Sequence, residues 1–131
     1  MRLLLDTHVA LWAIVDSPRL TSEVRSLIAD ETNTLFVSVA SLWEITIKFS
    51  LARGHPSDMP LSAAQALDYF LGAGMTILDI TAAHALAVAG LPPHHADPFD
   101  RILVAQSLSE PLRLVTHDPQ VAAYSDAIIL F

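Results

Sequence analysis

Short apolar runs alternate with helix-length segments along the whole chain, and this alternation constrains the fold more than any other feature. The longer segments carry apolar residues at helical spacing, whereas the short runs are typical of buried strands. Strands that alternate with helices indicate a parallel sheet with right-handed crossovers. We therefore predict a three-layer α/β/α fold whose central sheet is mostly parallel and has four or five strands. The predicted strands are Arg2–Leu5, Leu35–Val39, Thr76–Ile80, Arg113–Thr116 and Ala127–Leu130.

Turn-forming residues mark the ends of the predicted helices. Gly54, with Pro56 just beyond it, is expected to end the third helix before the turn-rich stretch His55–Pro60, and Gly72 and Gly74 are expected to end the fourth. No linker-like composition or internal repeat divides the chain, so we expect one domain over residues 1–131. The predicted helices are Thr7–Val15, Ser22–Asp30, Leu42–Leu51, Ala63–Leu71, Ala82–Ala89, Pro98–Leu108 and a short one near Pro119–Tyr124.

Composition excludes several classes of protein. Hydrophobic residues make up 53% of the 131 residues, which indicates a generous core or an apolar surface for a partner, such as a second copy of the chain. No apolar run approaches the roughly 20 residues of a membrane helix. Asp6 interrupts the first apolar run too early for a signal peptide. The absence of cysteine excludes disulfides and thiolate metal sites, so we expect a cytoplasmic protein without a membrane anchor.

The net charge is −7, from 7 Lys+Arg against 14 Asp+Glu. A protein that grips phosphates by electrostatics alone is expected to show a basic patch, yet the basic residues are scattered along this chain. Two interpretations remain open. Either the protein does not bind nucleic acid, or its acids form a pocket that a bound metal ion makes electropositive.

Four carboxylates stand where a predicted strand ends or a predicted helix begins. Asp6 and Asp118 follow apolar runs, and Glu44 and Asp100 lie in predicted first helical turns. Ligands of open parallel sheets bind outside the carboxyl ends of the strands, so the four acids are expected to meet at one edge. Clustered carboxylates repel unless they are neutralised, and a hard divalent cation is the usual neutraliser. Because the set is all oxygen, we predict Mg²⁺, with Mn²⁺ as an alternative, rather than Zn²⁺.

Each acid also has a purely structural explanation as a helix cap. Taken singly, each is explained at least as well by capping as by metal binding, but caps need not converge on one edge of a sheet. Capping also leaves the second carboxylate oxygen free, so the two roles are compatible. The expected caps are Asp6, the capping box Ser41–Glu44, Asp97 with Pro98 at the first helical position, and Asp118 before Pro119.

Four segments carry the acids in a recognisable order: Leu4–His8 (LLDTH), Ser41–Ile45 (SLWEI), Asp97–Gln106 (DPFDRILVAQ) and Val115–Asp118 (VTHD). Together they resemble the PIN-domain family and more narrowly the VapC toxins of bacterial type II toxin–antitoxin pairs, and Asp97–Gln106 is the most specific of the four. The resemblance implies a Mg²⁺-dependent endoribonuclease that hydrolyses RNA phosphodiesters, forms a homodimer and is inhibited by a cognate antitoxin protein. It assigns the acidic roles to Asp6, Glu44, Asp100 and Asp118.

Within that site we expect Asp6 and Asp100 to be the principal metal ligands, with Asp118 and Glu44 holding metal-bound water or a second ion. Asp97 is interpreted as a cap that could contribute through water. Thr7 and Thr116 are expected to support the acids by orienting a carboxylate or contacting phosphate, although each is equally plausible as a turn residue. The number of metal ions and the target RNA stay open.

Other residues receive plainer interpretations. The pair His94 and His95 is expected in an exposed loop, and His8 and His117 in local packing or at the surface. The role of Arg101 stays open between pairing with an acid and contacting phosphate. The aromatic residues expected in the core are Trp12, Trp43 and Phe99.

Three other classes of protein place acids at such positions. A receiver-like Mg²⁺-binding signalling module would need adjacent acids after the first strand and a late lysine, but Thr7 follows Asp6 and the only lysine is Lys48 in a predicted helix. A haloacid-dehalogenase-type phosphatase would need an acid at position 8, where this chain has His8. The third class is a protein-interaction domain whose acids only cap helices.

Overall fold

The sheet has the predicted parallel arrangement. The computed structural model describes residues 1–52 and 59–131, with only the backbone of Ala52, so the helix end predicted at Gly54 and Pro56 and residues 55–58 of the predicted turn lie outside it. Five strands in the described part pair in the order β3-β2-β1-β4-β5, and every pair is parallel. The strands are β1 (Arg2–Leu5), β2 (Thr34–Ser38), β3 (Thr76–Leu78), β4 (Arg113–Thr116) and β5 (Ile129–Leu130).

The helices occur in the predicted order, with one shifted start. α3 begins at Val39, directly after β2, and not at Leu42 as predicted. The hydroxyl of Ser38 accepts the backbone N–H of Ala40 at 3.0 Å, so Ser38 and not Ser41 satisfies a free donor at this helix start. The helices are α1 (Thr7–Ile14), α2 (Ser22–Ala29), α3 (Val39–Ala52), α4 (Ala63–Gly72), α5 (Ala82–Ala87) with a 3-10 turn at Val88–Gly90, α6 (Pro98–Ser109) and α7 (Pro119–Ala122).

The core lies on both faces of the central strand β1. Leu3 and Leu5 point to one face, where they pack in a cluster with Val9 of α1 and Phe70 of α4. Leu4 points to the other face, because successive strand residues alternate in direction. There it packs in a second cluster with Phe36 and Leu114 from the flanking strands and with Leu103 and Val104 from α6. Helices on both faces therefore fix the carboxyl ends of β1 and β4. No helix in the described ranges is long and apolar enough to cross a membrane.

The expectation that Trp43 belongs to the core is wrong. Its side chain is 61% exposed, whereas Trp12 and Phe99 are partly buried. The buried side of α3 carries Ala40, Glu44 and Ile45, which leaves Trp43 on the outward side, edge-on to the ring of Phe99 at 5.7 Å. The side of α3 that faces the interior therefore includes Glu44 and excludes Trp43.

Candidate active site

The four predicted acids and Asp97 come together at the carboxyl edge of the sheet. β1 and β4 are neighbours, and the backbone N–H of Asp6 donates to the carbonyl of Val115 at 3.0 Å, which fixes one strand end beside the other. A cleft of about 280 Å³ opens at this edge. Its lining includes the carboxylates of Asp6, Glu44, Asp97, Asp100 and Asp118.

Asp6 does not cap α1 with its side chain, so that interpretation is wrong. It occupies the N-cap position, but its side chain makes no cap hydrogen bond. Instead, Thr116 Oγ1 donates to Asp6 Oδ2 at 2.6 Å in a buried contact between β4 and β1. Burial raises the pKa of Asp6, the hydrogen bond from Thr116 and the charge of His8 lower it in part, and the charge of Glu44 raises it further. Ionisation of Asp6 therefore carries an energetic penalty in this site.

Glu44 is not part of a capping box, because Ser41 lies inside α3 and hydrogen-bonds Thr7 Oγ1 through its Oγ at 2.7 Å. Glu44 is only 3% exposed and lines the cleft. Its Oε2 accepts from Lys48 Nζ at 2.5 Å, whereas its buried Oε1 has no hydrogen-bond partner among the described residues. An unsatisfied buried carboxylate oxygen is destabilising. A cation or a proton donor that enters the cleft would satisfy it.

Lys48 adds a positive charge that the sequence interpretation did not assign to the site. Burial lowers the pKa of Lys48, but the hydrogen bond to Glu44 and the charges of Glu44, Asp97 and Asp100 more than offset this and raise it. Lys48 therefore keeps its charge and neutralises part of the acid cluster. The i, i+4 spacing of Glu44 and Lys48 on one helix is the sequence pattern that indicates this contact.

Asp97 and Asp118 both act as the predicted caps. Asp97 Oδ1 accepts the backbone N–H groups of Phe99 and Asp100 at 2.8 and 3.2 Å. Asp118 Oδ1 accepts the N–H of Gln120 at 2.8 Å, and its Oδ2 lies 3.2 Å from His95 Nε2. Asp118 thus caps α7 with one oxygen and presents the other to the site.

The site strongly raises the pKa of Asp100. The pKa of Asp100 is raised from the ordinary value of 3.8 to about 7, first by burial and then by the charges of Asp6, Asp97 and Glu44, while His95 partly lowers it. Like charges that share a poorly hydrated site disfavour full ionisation. The acids therefore lie close enough to repel each other, as a site for a cation requires.

His95 lies inside the site, so its expected place in an exposed loop is wrong. Its side chain is 17% exposed, and its Nε2 lies 3.0 Å from Asp100 Oδ2 and 3.2 Å from Asp118 Oδ2. One ligand atom from each of these three residues lies within 4.8 Å of the others, a spacing that could hold a metal ion. His94 is exposed, as expected, and packs edge-on to the ring of Tyr124 at 5.0 Å.

Arg101 anchors the loop that places His95 beside Asp100 and Asp118. Its guanidinium donates to the carbonyls of Val88 and Pro92 at 3.2 and 3.1 Å and to the Tyr124 hydroxyl at 3.0 Å. Tyr124 in turn accepts the backbone N–H of His95 at 2.9 Å. The sequence left two roles open for Arg101, pairing with an acid and contacting phosphate. The described contacts show neither role, because backbone carbonyls engage the guanidinium.

The hydrogen bond between Thr116 and Asp6 can be tested by its effect on stability. We expect Thr116→Val to lower the free energy of unfolding by about 2 kcal/mol, because a buried charged acceptor and the N–H of Asp118, 3.1 Å from Oγ1, both lose their partner. Urea denaturation in metal-free, mildly alkaline buffer measures the change. Thr116→Ser keeps the hydroxyl and should retain most of the stability. Equal losses in both variants would mean that packing of the methyl group, and not the hydrogen bond, is responsible.

Comparison with known proteins identifies the family. The family model described as the PIN domain matches residues 3–127. The chain belongs to the PIN-domain family. The resemblance drawn from Asp97–Gln106 and the three other segments is thereby confirmed, and the five-stranded parallel sheet with helices on both faces agrees with a PIN-like three-layer fold.

Solved structures share this PIN-domain fold. VapBC2 from Rickettsia felis bound to a DNA fragment from their promoter has a TM-score of 0.70 at 21% identity, and the match covers 100% of this chain and 98% of that one. DNA-bound VapBC from Salmonella typhimurium has a TM-score of 0.66 at 16% identity, with 100% and 97% covered. VapBC-1 from nontypeable Haemophilus influenzae has a TM-score of 0.62 at 17% identity, again with 100% and 97% covered. At these identities the likeness concerns the fold. A comparison with curated proteins found no match.

Proposed function

We propose that this PIN-domain protein is a metal-dependent endoribonuclease of the VapC type, the toxin of a type II toxin–antitoxin pair. The observation that carries the proposal is the convergence of Asp6, Glu44, Asp100 and Asp118 on one cleft at the carboxyl edge of the sheet. Membership of the PIN-domain family and the fold shared with VapBC structures support it. Both favour a nuclease over a receiver-like signalling module.

The residues of the cleft fit a divalent cation. Glu44 presents a buried oxygen without a partner among the described residues, and Asp100 has a pKa raised to about 7 by burial and neighbouring acids. Both are unfavourable features that a cation would relieve. Asp6 and Asp100 are the proposed principal ligands, and Glu44 and Asp118 the supporting ones. His95 adds a nitrogen to a set that was expected to be all oxygen, so Mn²⁺ suits the site as well as Mg²⁺ does.

Chemistry at this site is phosphodiester hydrolysis, for which a bound divalent cation supplies charge stabilisation of the phosphoryl oxygens and activation of water. The protein's own side chains orient the carboxylates of the site. The Thr116 hydroxyl holds Asp6 in one orientation, and Lys48 fixes Glu44 through Oε2. Glu44 Oε1 would hold either a cation or a water that the cation binds, and Lys48 lies beside Glu44 to balance its charge.

The proposed partners follow from the same assignment. The substrate is RNA, and a cognate antitoxin protein and a second copy of the chain are the expected protein partners, in the cytoplasm. Large apolar side chains that are exposed in the single chain, among them Leu51 and Leu86, support the presence of protein partners.

The direct test incubates the purified protein with total cellular RNA in Mg²⁺, in Mn²⁺ or in EDTA, and maps the new RNA ends by sequencing. We expect cleavage at defined positions with either cation and none in EDTA. Thermal melting of the same samples should show stabilisation by the cation. No cleavage and no thermal shift with either cation would reject the metal-dependent nuclease, and transfer of phosphate from acetyl phosphate to an aspartate would favour a receiver-like module instead.

A further inference from the structure

One wall of the cleft carries an arginine stacked on a tryptophan. The guanidinium of Arg19 lies 5.5 Å from the ring centroid of Trp12, and both residues line the same cleft as Asp6 and Asp100. A guanidinium at this distance is attracted to the negative face of the indole ring. The acidic end of the cleft and this cationic wall therefore belong to one continuous surface.

Packing contacts fix Trp12, so that it can position the Arg19 guanidinium stacked on it. It lies in α1, packs against the core cluster that contains Leu3 and Leu5, and is partly buried. The rings of His117 and Phe131 meet it edge-on at 5.6 and 6.4 Å. Arg19 follows in the turn between α1 and α2, where its backbone N–H donates to Ser17 Oγ at 3.2 Å. The stacked guanidinium thus has a rigid base, although the side chain of Arg19 is itself exposed.

Arg19 differs from the other described arginines in the contacts of its guanidinium. Its side chain makes no hydrogen bond or ion pair with another described residue, so its five N–H donors remain available for a ligand. Lys48, the other side-chain ammonium or guanidinium group among the described residues of the cleft lining, is engaged by Glu44. The guanidinium groups that donate to protein acceptors are those of Arg2 to the Glu110 carbonyl, Arg25 to Asp16 and to the Ser17 and Leu20 carbonyls, Arg101 to its loop carbonyls, and Arg113 to the Ala127 carbonyl.

We propose that Arg19 binds an RNA phosphate next to the scissile one, and that Trp12 is the residue that positions it. This inference rests on the proposed nuclease function. An acidic cleft repels every phosphate except the one that a bound cation draws in, so the strand on either side needs its own positive contact. A planar guanidinium matches a phosphate with two parallel N–H donors, which an ammonium group does not.

Binding can be measured apart from cleavage. Asp100→Asn provides a background in which a fluorescein-labelled single-stranded oligoribonucleotide is not cut, and anisotropy gives Kd over a series of salt concentrations. Adding Arg19→Gln should raise Kd about tenfold. It should also reduce the slope of log Kd against log salt by about 0.7, the value for one phosphate contact with a single strand. Arg19→Lys should keep the slope and recover only part of the affinity.

Arg113→Gln is the matched control, because it removes the same charge from an exposed residue that does not line the cleft. It should leave Kd within about twofold and the slope unchanged. In otherwise wild-type protein, Arg19→Gln should raise KM for RNA about tenfold with kcat little changed. Equal Kd and slope for Arg19→Gln and Arg113→Gln would overturn the inference while leaving the nuclease intact, whereas failure of the wild type to cleave RNA would overturn the proposed function.

The role of Trp12 has its own optical readout, since the chain contains two tryptophans. In Trp43→Phe protein the emission comes from Trp12 alone, and unlabelled oligoribonucleotide should change it as Arg19 engages phosphate. In Trp12→Phe protein the emission comes from Trp43, which lies outside the cleft lining and should not respond. A response from Trp43 alone would place RNA on the outer side of α3 and overturn the assignment.

Discussion

Asp6→Asn is expected to lower metal-dependent RNA cleavage about a thousandfold, because Asp6 and Asp100 are the two proposed principal ligands of the cation. Asparagine keeps the size of the side chain and an oxygen that can still accept from the Thr116 hydroxyl, so β1 and β4 should stay joined at this point. What it removes is the negative charge and one of the two oxygens available to a cation. Because burial already penalises the Asp6 carboxylate, the free energy of unfolding without metal should not fall.

Asp126→Asn supplies the control for this experiment. Asp126 is exposed and does not line the cleft, so the same change of charge should leave the cleavage rate within about twofold. Initial rates on one defined RNA, measured over a series of Mg²⁺ concentrations, separate weaker cation binding from slower chemistry. Cleavage by Asp6→Asn at the wild-type rate would contradict the assignment of Asp6 as a ligand. A comparable loss in Asp126→Asn would show that overall charge, and not the site, controls the rate.

Much of the fold could be predicted from local sequence, and the errors have physical causes. β1 and β4 have the predicted bounds because each is an apolar run buried on both faces and followed by a polar residue. β3 and β5 are shorter than predicted because they are the edge strands, where pairing ends before the apolar run does. The start of α3 was misplaced because Ser41–Glu44 matches a capping box, while Ser38 in the strand end takes that role.

Some residues of the candidate site could be predicted from the sequence, and others could not. Asp6, Asp100 and Asp118 could be placed from sequence because strand ends and helix starts in a parallel sheet share one edge. His95 could not, because its position depends on contacts between Arg101, Tyr124 and the loop carbonyls that join distant parts of the chain. The Thr116 hydroxyl was expected to orient a carboxylate, but only the paired register of β1 and β4 shows that this carboxylate is Asp6.

Asp100 should make the metal-free protein less stable as the pH rises. Its pKa is about 7 in the folded protein against an ordinary value of 3.8, so the folded state binds this proton more tightly than the unfolded chain does. The corresponding stabilisation is fully present below the ordinary pKa of 3.8 and is lost as the pH rises through about 7. We expect Asp100→Asn, which has no proton to lose there, to exceed the wild type in unfolding free energy by on the order of 2 kcal/mol in mildly alkaline buffer.

A divalent cation should make the wild type more stable than Asp100→Asn, the reverse of the order expected without metal. In the proposed site the ionised Asp100 is a principal ligand, so saturating Mg²⁺ or Mn²⁺ should raise the unfolding midpoint of the wild type and have much less effect on Asp100→Asn. Urea denaturation of both proteins from acidic to alkaline pH, each with EDTA and with cation, gives four curves of unfolding free energy against pH. The two EDTA curves should converge at acidic pH, where Asp100 is protonated. Parallel curves for the two proteins across the whole pH range would contradict the raised pKa of Asp100. Equal stabilisation of both proteins by cation would instead remove Asp100 from the ligand set and leave Asp6, Glu44 and Asp118 to hold the metal.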